Sequence, residues 1–199
     1  MARASKQKVK IDKYNKSQAP IHPITWITIA SIFVVILGII IIFTPNNQEK
    51  IYNAYVANGV TTLSKDHPLK QVTYNGGLFQ KGLKKIIEQE EVVVLYIGYA
   101  QCPGCQSHIT PVANYFNSTG MNQYTDHVYY IDIVQDTKGF EILRSQYALI
   151  QAATPQIALF INGELVDIYN AAISNPTTPQ QINAAISGFY TKAIGLINQ

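Results

Sequence analysis

The two cysteines of the chain stand close together, at Cys102 and Cys105, with Pro103 and Gly104 between them. They come shortly after an apolar run, 92–98, that is typical of a buried strand. A helix that begins at such a pair places the first thiol beside free backbone N–H groups and the positive end of the helix dipole, which stabilise a thiolate. The second thiol lies close enough to attack the first once that is oxidised. The spacing therefore predicts thiol–disulfide redox chemistry.

Two other uses of the cysteines are weaker interpretations. A structural disulfide between Cys102 and Cys105 would add little stability, because the gain grows with the length of the closed loop. His108 could join them as a Cys2His metal site, but that set lacks a fourth ligand, and the spacing of His67 and His127 supplies none. We expect neither metal nor cofactor, and we interpret His108 as a surface residue of the helix that carries the cysteines.

The composition fits one globular domain with an appendage. The chain has 199 residues, of which 47% are hydrophobic, enough for a sizeable core. Its formal charge of +3 is uneven, since six basic residues and one acidic residue precede position 20, against nine basic and eleven acidic residues after it. The bulk of the chain therefore gives no reason to expect nucleic-acid binding.

An uncharged segment, 24–43, predicts a transmembrane helix. At about 1.5 Å per residue its twenty positions span roughly 30 Å, the thickness of the bilayer hydrocarbon. Trp26 lies near one end, as an interfacial aromatic residue would. A cleaved signal peptide is the main alternative, but the segment is longer than a usual signal core and no small-x-small cleavage site follows. A buried helix of a soluble domain is the other, less favoured interpretation.

The charge distribution predicts which way this segment points. The basic residues lie in 1–23, while Glu49 and Lys50 roughly cancel just after the segment. The positive-inside rule then makes 1–23 a cytoplasmic tail and places the C-terminal part outside the cytoplasm, in a single-pass membrane protein. A dithiol on that side can hold or pass on disulfides.

The remainder of the chain alternates predicted strands and helices. Residues 44–70 are either a stalk or the first helix of the domain, and 71–199 form an α/β domain with the order β-α-β-α-β-α-β-β-α. Asn162-Gly163 predicts a two-residue hairpin turn, and Thr178 predicts the start of the closing helix. The predicted strands are 71–74, 91–97, 127–133, 156–161 and 164–169, and the predicted helices lie around 78–87, 105–117, 138–149 and 179–197.

The chain resembles the thioredoxin superfamily across about residues 70–199. The matching features are the apolar strand before the cysteines, the Cys-x-x-Cys at a helix start, Thr154-Pro155 ahead of a hairpin, and the closing amphipathic helix. The stretch YIGYAQCPGC is similar to the membrane-anchored thioredoxin-like proteins of Gram-positive bacteria, including those called bacteriocin transport accessory proteins. The resemblance implies a mixed central sheet flanked by helices, here preceded by the transmembrane helix.

The resemblance also implies roles for individual residues. Cys102 would be the exposed nucleophile and Cys105 the buried resolving thiol. Pro155 would be a cis-proline facing the disulfide, and Thr154 would offer backbone contacts to the substrate, with Pro103 and Gly104 in the same binding surface. The partners implied are protein or peptide thiols and disulfides, together with an unidentified redox partner.

The sequence departs from the family at positions that bear on mechanism. Tyr96 stands where thioredoxins carry a buried Asp that helps move the resolving thiol's proton, so the acid–base helper is not identified. Gln101 replaces the usual tryptophan, and the dipeptide Pro103-Gly104 reverses the usual order. Two alternatives therefore stay open beside an oxidoreductase: a non-catalytic accessory protein for an exported peptide or a transporter, and a copper chaperone.

Overall fold

The computed structural model describes residues 23–43, 46–77 and 80–199, with side chains over 24–39 in the first stretch. The chain divides into two compact units, Met1–Thr44 and Pro45–Gln199. In the first unit, helix α1 (Pro23–Phe43) covers the segment for which a transmembrane helix was predicted. Across the described residues, however, no helix combines the length and the apolar character needed to cross a membrane.

The second unit alternates strands and helices. The strands are β1 (Leu69–Gln71), β2 (Gly76–Gly77), β3 (Gln80–Lys81), β4 (Val92–Gly98), β5 (Val128–Asp132), β6 (Gln156–Ile161) and β7 (Glu164–Asn170). The helices are α2 (Asn47–Ala57), α3 (Leu83–Gln89), α4 (Pro103–Ser118), α5 (Thr137–Gln146), α6 (Ala171–Ser174) and α7 (Pro179–Ile197), with a 3-10 turn at Met121–Gln123. This unit is an α/β fold.

A mixed five-stranded sheet organises the domain, in the order β1-β5-β4-β6-β7. The strands β1, β5 and β4 run parallel, whereas β4, β6 and β7 run antiparallel. Strand β4 lies at the centre, and all seven of its residues are buried, as expected for an apolar strand with helices on both faces. The short strands β2 and β3 pair with each other outside this sheet.

Each face of the sheet has its own hydrophobic core. The active face, as we call it, packs against α2, α4 and α7 and includes both cysteines and the tyrosines at 55, 96, 130 and 190. The aliphatic face packs against α3 and α5 and is built mainly from Val, Leu and Ile side chains. Because successive strand residues point to opposite faces, Tyr96 belongs to the active face while Leu95 and Ile97 belong to the aliphatic face.

Several predicted elements differ from the observed ones at their ends. The first strand covers Leu69–Gln71 rather than 71–74, and the helix after the cysteines begins at Pro103 rather than at Cys105. The closing helix has the predicted bounds, with Thr178 and Gln181 forming a capping box. Part of the predicted helix around 78–87 is replaced by β3, and Leu78 and Phe79 lie outside the described residues.

Residues 44–70, for which a stalk and a first domain element were both open, contain α2. Ile51 and Tyr55 on this helix are buried in the active face. The helix begins after Asn46, whose side chain accepts the N–H of Glu49. These contacts make α2 part of the second compact unit.

Candidate redox site

The two cysteines lie at the turn between β4 and α4. Cys102 is the residue that caps the N-terminus of α4, and Pro103 occupies the first helical turn, where its missing N–H costs nothing. The Cys102 N–H is bound by the carbonyl of Tyr99 in the connecting turn. The first cysteine is thereby held at the positive end of a sixteen-residue helix.

The Cys102 sulfur is surrounded by groups that favour its thiolate. The backbone N–H of Cys105 donates to it over 3.2 Å, and the Thr154 hydroxyl lies 3.4 Å away. The Cys105 thiol, these two donors and the Gly104 N–H lower the pKa of Cys102 to about 6, although burial opposes them. Near neutral pH Cys102 is therefore largely a thiolate, the reactive form of the residue.

The second thiol is held differently. Cys105 is fully buried, and the pKa of its thiol is raised because its proton is held by Cys102 and because it is shielded from water. Gly98 leaves the space for it, since a Cβ at Gly98 would come within 2.9 Å of the Cys105 Sγ. Cys102 is 6% exposed and Cys105 is 0% exposed, so Cys105 is the more buried thiol, as expected. The description of Cys102 as exposed is wrong, because the Thr154 loop covers it.

The loop before β6 closes over the first cysteine. The Thr154–Pro155 peptide bond is cis, as the resemblance implied. A Cβ on Gly104 would lie 3.1 Å from the Pro155 ring and 3.7 Å from the Thr154 carbonyl. Glycine at 104 therefore permits α4 to approach the Thr154–Pro155 turn closely, which gives the reversed dipeptide a physical reason. Pro103 is exposed beside this contact.

His108 is a buried residue, and its interpretation as a surface residue is wrong. Its ring lies 2.7 Å through Nδ1 from the Gly104 carbonyl and 2.9 Å through Nε2 from the Tyr169 hydroxyl. Burial lowers its pKa, which keeps the imidazole neutral, with Nδ1–H donating and Nε2 accepting. Nε2 thus ties α4 to β7, while Nδ1 is held within α4. Within the described residues no cluster of three His, Cys, Asp or Glu side chains could hold a metal ion.

Three buried tyrosines, Tyr55, Tyr96 and Tyr130, lie in the same core as Cys105. The sequence singled out only Tyr96 as part of the site. The Tyr96 hydroxyl donates to the Cys105 carbonyl over 3.3 Å, and the Tyr96 ring stacks on Tyr130 at 5.8 Å. Tyr55 meets Tyr130 edge to face at 6.2 Å. These residues come from α2, β4 and β5, so their meeting depends on the sheet order and could not be read from spacing along the chain.

The structure therefore assembles most of the predicted site. Cys102, Cys105, Thr154, Pro155 and Gly104 converge at the start of α4. Three further groups belong to the same place: Gly98, His108 and the tyrosine cluster. Gly98 at the end of a strand was a readable signal, since glycine there often marks a close approach.

Comparisons with solved structures return thioredoxin-fold proteins. Malassezia sympodialis thioredoxin (Mala s 13) is 20% identical, with 60% of this chain covering 90% of that chain at a TM-score of 0.40. A mutant thioredoxin from Halobacterium salinarum is 19% identical, with 62% of this chain covering 94% of that chain at a TM-score of 0.37. Thioredoxin from Plasmodium falciparum is 14% identical, with 54% of this chain covering 88% of that chain at a TM-score of 0.35. These likenesses concern the fold and carry no argument about activity.

The sequence comparisons add no closer relative. No protein-family model matches the chain, and no curated protein matches it. The function proposed below therefore rests on the geometry of this site.

Proposed function

We propose that the protein is a thioredoxin-like thiol–disulfide oxidoreductase that works through Cys102 and Cys105. The observation that carries this proposal is the pairing of unlike thiols. One sulfur sits at a helix start with its pKa lowered to about 6, and its partner three residues on is buried and protonated. A thiol with a pKa near ambient pH is the best attacking nucleophile, and a protonated neighbour waits until the first step is complete.

The reaction proceeds in two exchanges. The Cys102 thiolate attacks a substrate disulfide, forms a mixed disulfide and releases the other substrate sulfur as a thiolate. Cys105 then loses its proton and attacks the Cys102 sulfur, so that a Cys102–Cys105 disulfide forms and the second substrate sulfur leaves. The two electrons taken up by the substrate come from the dithiol. In reverse, the same steps oxidise a substrate dithiol.

The contacts suited to a substrate are backbone groups. The Thr154 carbonyl lies 3.9 Å from the Cys102 sulfur, and Thr154 is only partly buried. An extended peptide placed over Cys102 meets this turn and the exposed Pro103. We therefore propose protein or peptide thiols and disulfides as substrates, and a second protein or a small thiol as the redox partner.

The reduction potential of the full-length protein tests this function. Equilibration against dithiothreitol and glutathione buffers should show one two-electron couple that disappears in Cys102→Ala and in Cys105→Ala. A potential of about −120 to −180 mV would indicate an oxidase or isomerase, and one near about −270 mV a reductase. A pair that does not cycle overturns the proposal and favours a binding module, such as an accessory protein of a peptide exporter. Retention of cellular function in the double Cys→Ala variant would favour the same alternative.

We also propose that the redox domain is held at the outer side of the cell membrane by the N-terminal segment. The support is in the sequence: twenty uncharged residues at 24–43 follow a tail with six basic residues. Labelling of intact cells with a membrane-impermeant maleimide tests it, since Cys102 is reactive only if the reagent reaches it. Label on intact cells supports the outward orientation, and label only after lysis overturns it.

A further inference from the structure

The resolving thiol has no buried carboxylate beside it among the described residues, although its reaction releases a proton. Tyr96 occupies the position where the resemblance implies an aspartate. A Cβ at Gly98 would lie 2.9 Å from both the Cys105 Sγ and the edge of the Tyr96 ring, so the ring and the thiol border the same space beside Gly98. Its hydroxyl already donates to the Cys105 carbonyl, within reach of the same residue's side chain.

The Tyr55 hydroxyl is the next polar group in this core. Tyr55 is fully buried, yet its hydroxyl makes no hydrogen bond of ordinary geometry with any described residue. A buried hydroxyl without a hydrogen-bond partner is destabilising and calls for an explanation. The hydroxyls of Tyr130 and Tyr96 lie near enough to act on its pKa, as does the Cys105 thiol. Tyr55 therefore stands among the groups that a proton from Cys105 would meet.

Tyr130 and Asp132 lead outward from this cluster. The Tyr130 hydroxyl points to Asp132 Oδ2 over 3.5 Å. The same carboxylate accepts the N–H groups of Val134 and Gln135, which fix its orientation. Tyr130 and Asp132 line a surface cavity of about 160 Å³, together with Gln71 and Lys50. The buried tyrosines are thus connected with solvent on the side of the domain that α2 covers.

We propose that Cys105 passes its proton to solvent through Tyr96, Tyr55 and Tyr130 to Asp132. This inference rests on the proposed oxidoreductase function and names the acid–base machinery of its second step. As Cys105 attacks the Cys102 sulfur, its proton moves to the first hydroxyl, each tyrosine hands on its own proton, and the Asp132 carboxylate receives the last one. The mixed-disulfide bond breaks and the substrate thiolate leaves with the bonding pair.

The tyrosines suit this task because they remain neutral. Burial raises the pKa of all three phenols, so none becomes a charged base in the core. A hydroxyl can accept and donate a proton in the same step, since it carries both a donor and lone pairs. The Tyr55 hydroxyl is not committed to any other hydrogen bond among the described residues, so its proton can turn towards either neighbouring phenol. A relay therefore avoids placing a carboxylate beside the thiol.

The experiment follows the two exchanges separately. Reduced full-length protein is mixed rapidly with an aromatic disulfide that releases a coloured thiolate at each step. The first phase reports attack by Cys102, and the second reports resolution by Cys105. Tyr96→Phe should slow the second phase by about 10- to 100-fold, within the range of positioned proton-transfer groups, and leave the first phase within twofold. Tyr190→Phe, which removes a buried hydroxyl bound to the Val112 carbonyl, is the matched control and should leave both phases unchanged.

A solvent isotope measurement separates the relay from a structural effect. In mixtures of light and heavy water the second phase of the wild type should depend on deuterium content along a curve, as transfer of several protons requires. Asp132→Asn should give a slower phase with a straight-line dependence. If Tyr96→Phe does not fold, Tyr55→Phe gives the same test, because its hydroxyl has no hydrogen bond to lose among the described residues.

The possible failures are distinguishable. A wild type without a second phase contradicts the oxidoreductase function itself. A wild type with a second phase that the tyrosine and Asp132 variants leave unchanged in rate and isotope dependence overturns the relay alone.

Discussion

The two faces of the sheet share strand β4 but use it differently. On the aliphatic face, Val93, Leu95 and Ile97 pack against branched aliphatic side chains, and the Tyr129 hydroxyl of that face reaches a polar partner at the rim. On the active face, Tyr96 lies among sulfurs and hydroxyls that are enclosed in the core. Burial of apolar surface stabilises the fold on both sides, but the two thiols both lie on the active face. Adjacent residues of β4 therefore face different cores, one purely structural and the other containing the thiols.

The first prediction tests whether the two faces are independent, by a substitution on the aliphatic face. Leu95→Ala removes a fully buried side chain and should lower the free energy of unfolding by about 2–5 kcal/mol. The reactivity of Cys102 should stay within twofold, because Leu95 points away from α4. Urea unfolding measures the first effect, and the rate of iodoacetamide alkylation measures the second. A tenfold change in alkylation would show that the two faces are coupled.

The second prediction concerns the glycine that makes room for the resolving thiol. Gly98→Ala brings a methyl group against the Cys105 Sγ and the Tyr96 ring, and overpacking of this kind costs about 1–3 kcal/mol. Resolution by Cys105 should slow as the thiol is displaced. Gly188→Ala on α7 is the control, since nothing lies within 4 Å of its new Cβ, and it should stabilise by about 0.5–1 kcal/mol. Equal effects of the two substitutions would contradict the packing argument.

The third prediction sharpens the role of the loop over Cys102. Thr154→Val removes the hydroxyl 3.4 Å from the Cys102 sulfur and keeps the shape of the side chain. The lost hydrogen bond, about 0.5–1.5 kcal/mol, should raise the pKa of Cys102 above its value of about 6 by roughly one unit or less. The pH profile of alkylation measures the shift. Thr110→Val is the control: this threonine lies on α4 but its hydroxyl pairs with Thr62, so the profile should stay unchanged.

The sequence indicated those parts of the site that depend on local pattern. Strand β4, the start of α4 and the closing helix follow from an apolar run, a Cys-Pro-Gly-Cys and the cap residue Thr178, all of which act over a few residues. His108 was misread because a lone polar residue on a helix gives no sign of its tertiary neighbours, and Tyr169, its partner, lies sixty-one residues away. The tyrosine cluster was missed for the same reason.

The short elements show a second limit of sequence patterns. The strands β2 and β3 contain two residues each, and α6 contains four, so none is long enough to display a periodicity. For residues 44–70 a stalk and a first domain helix both stayed open, because the choice depended on whether Ile51 and Tyr55 of α2 are buried in a core. Their burial against β1 and β5 depends on the tertiary fold and cannot be read from the local sequence.

A fourth prediction separates the reactive thiol from the histidines by pH. Burial lowers the pKa of His67, His108 and His127. The unfolded chain therefore binds more protons below about pH 6.5, and stability should fall as the pH drops through that value. Cys102 acts in a higher window, because its pKa falls from 9.0 to about 6 on folding. Its contribution is complete above pH 9 and is lost as the pH falls towards 6.

Urea unfolding of the reduced wild type and of Cys102→Ser, at several pH values between 5 and 9, isolates the two contributions. Both proteins should lose stability below about pH 6.5, since both keep the histidines. Only the wild type should gain stability between about pH 6 and 9, where the unfolded chain holds a thiol proton that the folded protein has released. Oxidation of the wild type to the disulfide should remove that gain as well. Parallel curves for all three forms would mean that folding leaves the Cys102 thiol unperturbed, contrary to the contacts at the start of α4.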